Sequence, residues 1–185
     1  MTDHDTNLED DVDRFIAQRM IETPEIDPEP MAILGRIYRI STRMAPHMEA
    51  LFARHGLDRG EFDVIATLQR SGPPYRLTPT ALYTSLMISS GGLTHRLKRL
   101  EKAGLVRRPP SEHDGRSLLV ELTAAGRTKA AAAFAEDMAV EASWLASFSP
   151  GERDDLKGLL RKLMKAIPDA AETTAPRQRA VPTKA

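Results

Sequence analysis

Residues 89–105, with the sequence SSGGLTHRLKRLEKAGL, form the stretch that decides the fold. At about 100° per residue, Leu93, Leu97 and Leu100 fall on one narrow face of a helix and must pack against other elements. The opposite face carries the basic side chains, which are His95, Lys98, Arg99 and Lys102. The pattern therefore predicts a helix with a cationic outer surface, capped by Ser89 or Ser90 and ended by Gly104. Taken alone, it also fits a solvated amphipathic surface helix.

The segments on both sides of this helix favour a nucleic-acid reader. Upstream, Thr78 followed by Pro79 is a typical helix start, and only residues 87–89 separate that short helix from the basic one. This spacing is typical of a helix-turn-helix. Downstream, residues 105–108 and 118–122 read as two strands around a polar loop. The order helix, turn, basic helix and β-hairpin predicts a winged helix-turn-helix.

The run from residue 89 to residue 126, SSGGLTHRLKRLEKAGLVRRPPSEHDGRSLLVELTAAG, resembles the MarR family of bacterial transcriptional regulators. The informative motifs are L-x-R-L-E-x-x-G-L-V-x-R, the D-x-R-S of the wing and the following L-T-x-x-G. The similarity extends upstream through Glu61-Phe62-Asp63-Val64 and covers residues 30–167. It implies a mainly α fold: a winged helix-turn-helix with a two-stranded β-wing and long N- and C-terminal dimerisation helices.

Composition places the chain among soluble globular proteins. Its 185 residues are 41% hydrophobic and 28% charged, which suits one domain with additional long helices. The acidic start is unlike a secretion signal, and no apolar run approaches the roughly 18 residues of a membrane span. The chain has no cysteine, which excludes disulfides and thiol redox chemistry. We expect a cytoplasmic protein that does not contact the membrane.

The charge is distributed unevenly along the chain, although the net charge is zero. Residues 89–116 contain seven Lys or Arg against three acids, whereas residues 1–30 contain ten acids and two arginines. A local basic surface of this kind is sufficient for contact with nucleic acid. The pattern predicts double-stranded DNA as the partner of residues 89–116.

The periodicity divides the chain into five parts. Residues 1–29 are an acidic N-terminal extension with a short helix, in which Leu8, Val12, Ile16 and Met20 repeat every four positions. Residues 30–55 and 123–167 are predicted dimerisation helices, residues 58–122 the DNA-binding core, and residues 168–185 a disordered tail. Capping boxes are predicted at Asp58-Glu61 and Ser149-Glu152, and Thr123 caps a helix over residues 124–148.

The terminal helices predict a homodimer. Their apolar faces are too long to be buried in one chain that has only a small winged core between them. A two-fold dimer solves this, whereas a monomeric helical bundle is the alternative. In a dimer, two basic helices separated by about one turn of DNA, ~34 Å, predict a pseudo-palindromic operator.

The DNA-binding residues follow from the helical wheel, the helix start and the wing. Amides at the helix start and Lys98 are placed for phosphates, while His95 or Arg99 is placed for base edges. Arg116 at the wing tip is placed for the minor groove and is held by Asp114; a solvated turn pair is the alternative. The complete predicted set is Ser89, Ser90, Gly91, Thr94, His95, Lys98, Arg99, Asp114 and Arg116.

The resemblance also implies a small-molecule effector. The added N-terminal helix is similar to the urate- and aromatic-responsive branch of the family, in which an acid and two arginines form the ligand site. The matching positions here are Asp63, Arg96 and Arg108, and Arg19 stands where that branch has a Trp, a departure from the urate-responsive pattern. The expected effector is an aromatic carboxylate, a phenolic compound or a urate-like anion. A solvated surface acid is the alternative interpretation of Asp63.

Other functional classes lack their motifs. The five histidines are scattered without metal-ligand spacing, and the chain has no nucleophile elbow and no phosphate-binding glycine loop. We therefore expect no enzyme activity, no metal site and no cofactor. A winged-helix module that binds an acidic protein partner instead of DNA is the remaining alternative.

Overall fold

The computed structural model describes residues 9–86, 92–110 and 119–168. The chain divides into two compact units, the first ending at Asp137 and the second beginning at Met138. The described helices are α1 (Asp11–Glu22), α2 (Glu29–Arg54), α3 (Arg59–Arg70), α4 (Pro79–Ser85), α5 (Leu93–Lys102), α6 (Ala124–Trp144) and α7 (Pro150–Ala166). The strands are β1 (Arg76–Leu77), β2 (Val106–Arg107) and β3 (Val120–Leu122).

The helix starts predicted at Asp58, Thr78 and Ser149 are confirmed. Asp58 and Glu61 form a reciprocal capping box at α3, and Ser149 and Glu152 form one at α7. The Thr78 hydroxyl accepts the N–H of Ala81 at the start of α4. These bonds satisfy amide groups that a helix start would otherwise leave without partners, so they fix where each helix begins.

The sheet has three strands, in the order β1-β3-β2, where two were predicted. Both pairings are antiparallel, with Val106 opposite Leu122 and Leu77 opposite Val120. β1 has only two residues, too short for an alternating pattern to reveal it in the sequence. Because β1 pairs with β3, it connects the segment before α4 to the base of the wing.

The core of the first unit lies around α3. Val64, Ile65 and Leu68 are fully buried, and the ring of Phe62 stacks on that of Phe52 from α2 with 4.1 Å between centroids. Further core side chains come from α4, from α5 and from the sheet with the residue before β2: Leu82, Leu97, Leu100, Leu105, Val106, Val120 and Leu122. The helix-turn-helix and the base of the wing therefore share one hydrophobic core, as the predicted fold class requires.

The buried face of α6 is built mainly from small residues. Its buried positions are Gly126, Ala130, Ala133 and Asp137. Small residues allow close backbone approach: a β-carbon at Gly126 would overlap the carbonyl of Leu105. The helix also ends at Trp144, four residues earlier than predicted.

The second unit leaves its apolar side chains exposed. None of the residues of α7 is buried, and Leu159, Met164 and Ile167 are 66%, 75% and 58% exposed. An amphipathic helix of 17 residues with an uncovered apolar face is not stable by propensity alone. None of the described helices is long and apolar enough to cross a lipid bilayer.

Candidate nucleic-acid interface

The α5 helix has the two-sided character that its sequence predicts. Leu97 and Leu100 are 3% and 1% exposed and pack into the shared core. Thr94, His95 and Lys98 are exposed on the other side. Because the leucines fix the helix on the core, the cationic side chains are presented to solvent on a rigid element.

The N-terminus of α5 differs from the prediction. The helix begins at Leu93, and its N-cap is Gly92 in the left-handed region at φ 76°, without a side-chain cap. The predicted serine caps are therefore wrong, because glycine takes this backbone conformation at low cost. Ser89, Ser90 and Gly91, predicted as phosphate contacts, lie outside the described residues.

A groove of about 540 Å³ runs between the N-termini of α4 and α5. Its lining residues are Pro79, Thr80, Tyr83, Gly92, Leu93 and Thr94. The Tyr83 ring is 55% exposed, and the Thr80 side chain is also exposed. Sequence reasoning predicted only Thr94 of this set, because the exposed face of α4 carries no charge that marks it.

Arg99 does not extend freely into solvent. Its Nε atom lies 2.9 Å from Oε1 of Glu61, and its Nη2 donates to Oε2 of the same carboxylate over 3.1 Å. Its Nη1 donates to Oδ2 of Asp58 over 3.3 Å. The guanidinium predicted to read a base edge is thus engaged by the capping box of α3, while half of its side-chain surface stays exposed.

The strands at the base of the wing are well defined. Arg107 and Glu121 form a cross-strand ion pair of 2.6 Å, and Leu119 donates its N–H to the carbonyl of Pro109 over 2.8 Å. The hairpin therefore leaves the sheet at these positions. Asp114 and Arg116, predicted for the wing tip, lie outside the described residues.

Three of the four predicted effector residues lie on adjacent elements of the first unit. Asp63 on α3 is buried at 7% exposure, so its interpretation as a solvated surface acid is wrong. Arg96 on α5 lies over Gly60, with its Nε 4.0 Å from Oδ1 of Asp58. Arg108, after β2, is partly buried, and its Nε has no hydrogen-bond partner among the described residues.

The fourth predicted effector residue, Arg19, is exposed on α1. Its helix is fixed to α2 by Val12, which is buried against Gly35, and by Arg36, whose guanidinium contacts Asp10 at 3.0 Å and Asp13 at 2.6 Å. The contact with Arg36 lowers the pKa of Asp13. The N-terminal helix is thus a docked element, and the role of Arg19 stays a prediction.

Titratable groups of α2 and α6 form a separate cluster. His55 Nε2 lies 2.7 Å from Oε2 of Glu136, and Arg54 pairs with the same carboxylate. Arg54 and then His55 hold the pKa of Glu136 below its usual value. Within the ranges that the structure describes, no group of three potential metal ligands occurs.

Comparison with known proteins gives consistent matches. Residues 55–117 match the model of the MarR family. The chain is 36% identical over 157 residues to the HTH-type transcriptional regulator PecS of Dickeya dadantii, with 85% of this chain and 95% of PecS covered. It is 32% identical to the HTH-type transcriptional repressor Rv2887 of Mycobacterium tuberculosis, with 74% of this chain and 95% of the repressor covered. Its fold is similar to that of Sco3205, a MarR family regulator from Streptomyces coelicolor solved in complex with DNA, with a TM-score of 0.67, 22% identity and coverage of 79% and 92%.

Proposed function

The chain belongs to the MarR family, and from this premise we propose that it is a cytoplasmic transcriptional repressor that binds operator DNA as a homodimer and is released by a small anionic aromatic effector. The observation that carries the proposal is the two-sided α5 helix. Leu97 and Leu100 are buried in the shared core, while His95, Lys98 and Lys102 are exposed to solvent. A helix mounted in this way fits the major groove of a duplex.

Each part of the helix-turn-helix has a distinct task in this proposal. The exposed Lys98 supplies a phosphate contact, and His95 and Thr94 near the start of α5 face the base edges. The groove beside Tyr83 and Thr80 follows the sugar-phosphate backbone, because the first helix of such motifs crosses it. The proposal also includes the predicted contacts of the Ser89, Ser90 and Gly91 amides with phosphates. It further includes insertion of Arg116, held by Asp114, into the minor groove.

The uncovered apolar faces support the homodimer. Leu159, Met164 and Ile167 on α7 are largely exposed in one chain, as is Tyr38 at 74% on α2. Exposed apolar surface of this extent is typical of an interface. A second copy related by a two-fold axis covers identical faces in both chains and presents two α5 helices to successive grooves.

Binding to DNA from the region upstream of the chain's own gene tests the regulator. We expect a complex of one dimer per site, measured by fluorescence anisotropy and sedimentation. Its affinity should fall by orders of magnitude between about 50 and 200 mM salt, because each phosphate contact releases counterions. Absence of binding at low salt, or a monomer at all concentrations, contradicts the proposal.

The effector part rests on Asp63, Arg96 and Arg108. Asp63 is buried on α3, and Arg96 and Arg108 could offer an anion two hydrogen-bonding cations. The Nε of Arg108, which has no hydrogen-bond partner among the described residues, is a donor that a carboxylate would satisfy. Because Arg96 lies on α5, a bound anion changes the position of the DNA-facing helix. The anion must bind the released state more tightly than the DNA-bound state by the full change in operator affinity.

Calorimetry with salicylate, indole-3-acetate and urate tests the effector. We expect at least one compound to bind and to weaken the DNA complex, and Arg108→Gln to abolish both effects. Arg107→Gln is the matched control, because Arg107 is exposed and paired with Glu121. Binding that is equally strong in both variants contradicts the assignment of the site.

A further inference from the structure

In the contact between α5 and the capping box of α3, the two charged side chains differ strongly in how far they are buried. The side chain of Glu61 is only 3% exposed, whereas that of Arg99 is 51% exposed. The Glu61 carboxylate accepts the N–H of Asp58 at 2.9 Å as part of the capping box, and it also accepts two guanidinium contacts from Arg99. One buried carboxylate thus completes the α3 start and holds the recognition helix.

The energetics favour retention of this contact when the helix meets DNA. A two-point guanidinium–carboxylate contact has fixed geometry, and a buried carboxylate that loses its cation is left with an uncompensated charge. If Arg99 rotated towards a base, Glu61 would keep only the backbone N–H of Asp58 among these contacts. The free energy lost at Glu61 offsets the free energy that Arg99 would gain from a contact with guanine. The base contact predicted for Arg99 from the sequence is therefore not the favoured one.

A second contact lies one turn earlier on the same helix. Arg96 crosses over Gly60, where the absence of a β-carbon makes room for its guanidinium, and it approaches Asp58. Positions 96 and 99 are three residues apart and therefore lie on the same side of α5. Two guanidinium groups on one side fix the rotation of the helix about its own axis.

We propose that Arg99 is a positioning residue for DNA recognition: its clamp on Glu61 and Asp58 sets the rotation of α5, and hence the direction in which Thr94, His95 and Lys98 point. This inference rests on the proposed DNA-binding function. It assigns a role in DNA specificity to Asp58, the N-cap of α3, and to Glu61 in its first turn, although both carry the wrong charge to contact DNA themselves.

The substitution Glu61→Gln distinguishes two roles of Arg99, positioning of α5 and direct contact with a base, because the two roles predict opposite changes in DNA affinity. If Arg99 reads DNA and Glu61 only competes for it, the glutamine frees the arginine and tightens binding. If the clamp positions α5, the same change weakens binding about tenfold. The glutamine oxygen still accepts the N–H of Asp58, so the helix start is preserved.

The experiment measures operator affinity against salt for the wild type, Glu61→Gln, Arg99→Ala, the double variant and Lys98→Gln, with active protein counted by stoichiometric titration. We expect both single changes to weaken binding, the double variant to bind no worse than Arg99→Ala, and the salt slope to stay at the wild-type value. We expect Lys98→Gln to reduce the slope of log affinity against log salt by about one, as the loss of one phosphate contact does.

A set of duplexes whose half-sites differ in separation by single base pairs excludes a merely structural role. We expect the Glu61 and Arg99 variants to lose their preference for one separation, whereas local destabilisation weakens all duplexes alike. Tighter binding by Glu61→Gln, a reduced slope for Arg99→Ala, an equal loss at every separation, or no change in either variant overturns the proposal. If the wild type binds no duplex, the proposed function itself fails.

Discussion

Gly60 lies directly beneath the guanidinium of Arg96, and a β-carbon at this position would overlap it. Gly60 is in the first turn of α3, where alanine is a better helix former than glycine. The substitution Gly60→Ala therefore displaces Arg96 without weakening the helix. We expect anion binding in calorimetry to fall several-fold while the melting temperature stays unchanged or rises. Unchanged anion affinity would show that Arg96 is not part of the effector site.

Gly126 predicts a stability effect with a matched control. A β-carbon there would meet the backbone carbonyl of Leu105, which cannot move aside as a side chain can. We expect Gly126→Ala to lower the free energy of unfolding by about 1–3 kcal/mol, as overpacking does. Gly158 on α7 has open space around its Cα, so Gly158→Ala should stabilise by up to about 1 kcal/mol. Thermal unfolding of both variants checks the prediction, and equal effects contradict it.

The buried carboxyl of Asp137 predicts that the stability of the folded state depends on pH. Its carboxyl is 7% exposed, its Oδ1 has no hydrogen-bond partner among the described residues, and burial raises its pKa above 3.8. In the folded state it therefore binds a proton at pH values where the unfolded chain has lost one. This stabilisation is present below the unfolded pKa and is lost as pH rises through the folded pKa.

The corresponding variant is Asp137→Asn, which keeps the shape and removes the charge. We expect it to raise the melting temperature at pH 7, with the gain disappearing as the pH falls and the buried carboxyl of the wild type becomes protonated. Differential scanning calorimetry at both pH values measures this. A variant that is less stable than the wild type at pH 7 would show that the charged carboxylate has a favourable partner.

The docking of α1 predicts a local effect of Arg36. This guanidinium joins α2 to Asp10 and Asp13, and its contact lowers the pKa of Asp13. For a lowered pKa, the stabilisation is present above the unfolded value of the acid and is lost as pH falls through the folded value. The helix should therefore remain docked at neutral pH and detach only in acid.

We expect Arg36→Gln to increase hydrogen exchange of residues 11–22 at neutral pH while exchange in α3 stays unchanged. Arg14→Gln is the control, because Arg14 pairs with Asp11 of the same helix. Equal exchange of α1 in the wild type and in Arg36→Gln would indicate that the other contacts with α2, Val12 against Gly35 and Arg39 with Asp11, are sufficient to hold the helix.

The sequence predicted those parts of the fold that depend on local chemistry. Asp58, Thr78 and Ser149 each cap a helix by accepting a hydrogen bond from an amide three residues later in the chain. Because these contacts are local, the helix starts can be predicted from the sequence. β1 was missed because a strand of two residues exists only through its pairing with β3. The buried face of α6 was not predicted, because its alanines and glycine carry little hydrophobic signal, although their small size is what close packing requires.

In the candidate site, too, the features set by local sequence were predicted, whereas those set by contacts between distant residues were not. The exposed side of α5 was predicted correctly from periodicity, since the spacing of the leucines shows which side of the helix faces the core. The engagement of Arg99 by Glu61 was not predicted, because it joins residues 38 positions apart and depends on how α3 and α5 cross. The burial of Asp63 escaped the helical wheel because α3 is enclosed on nearly all sides.

The central claim is that the exposed cationic face of α5 meets the DNA backbone. The most direct test is the salt dependence of operator affinity for Lys98→Gln/Lys102→Gln, with Lys162→Gln/Lys165→Gln on α7 as a control of equal charge. We predict that the α5 pair lowers affinity at least about tenfold and reduces the slope of log affinity against log salt by about two, while the α7 pair changes neither. The same affinity and slope in the α5 pair as in the wild type would contradict the claim.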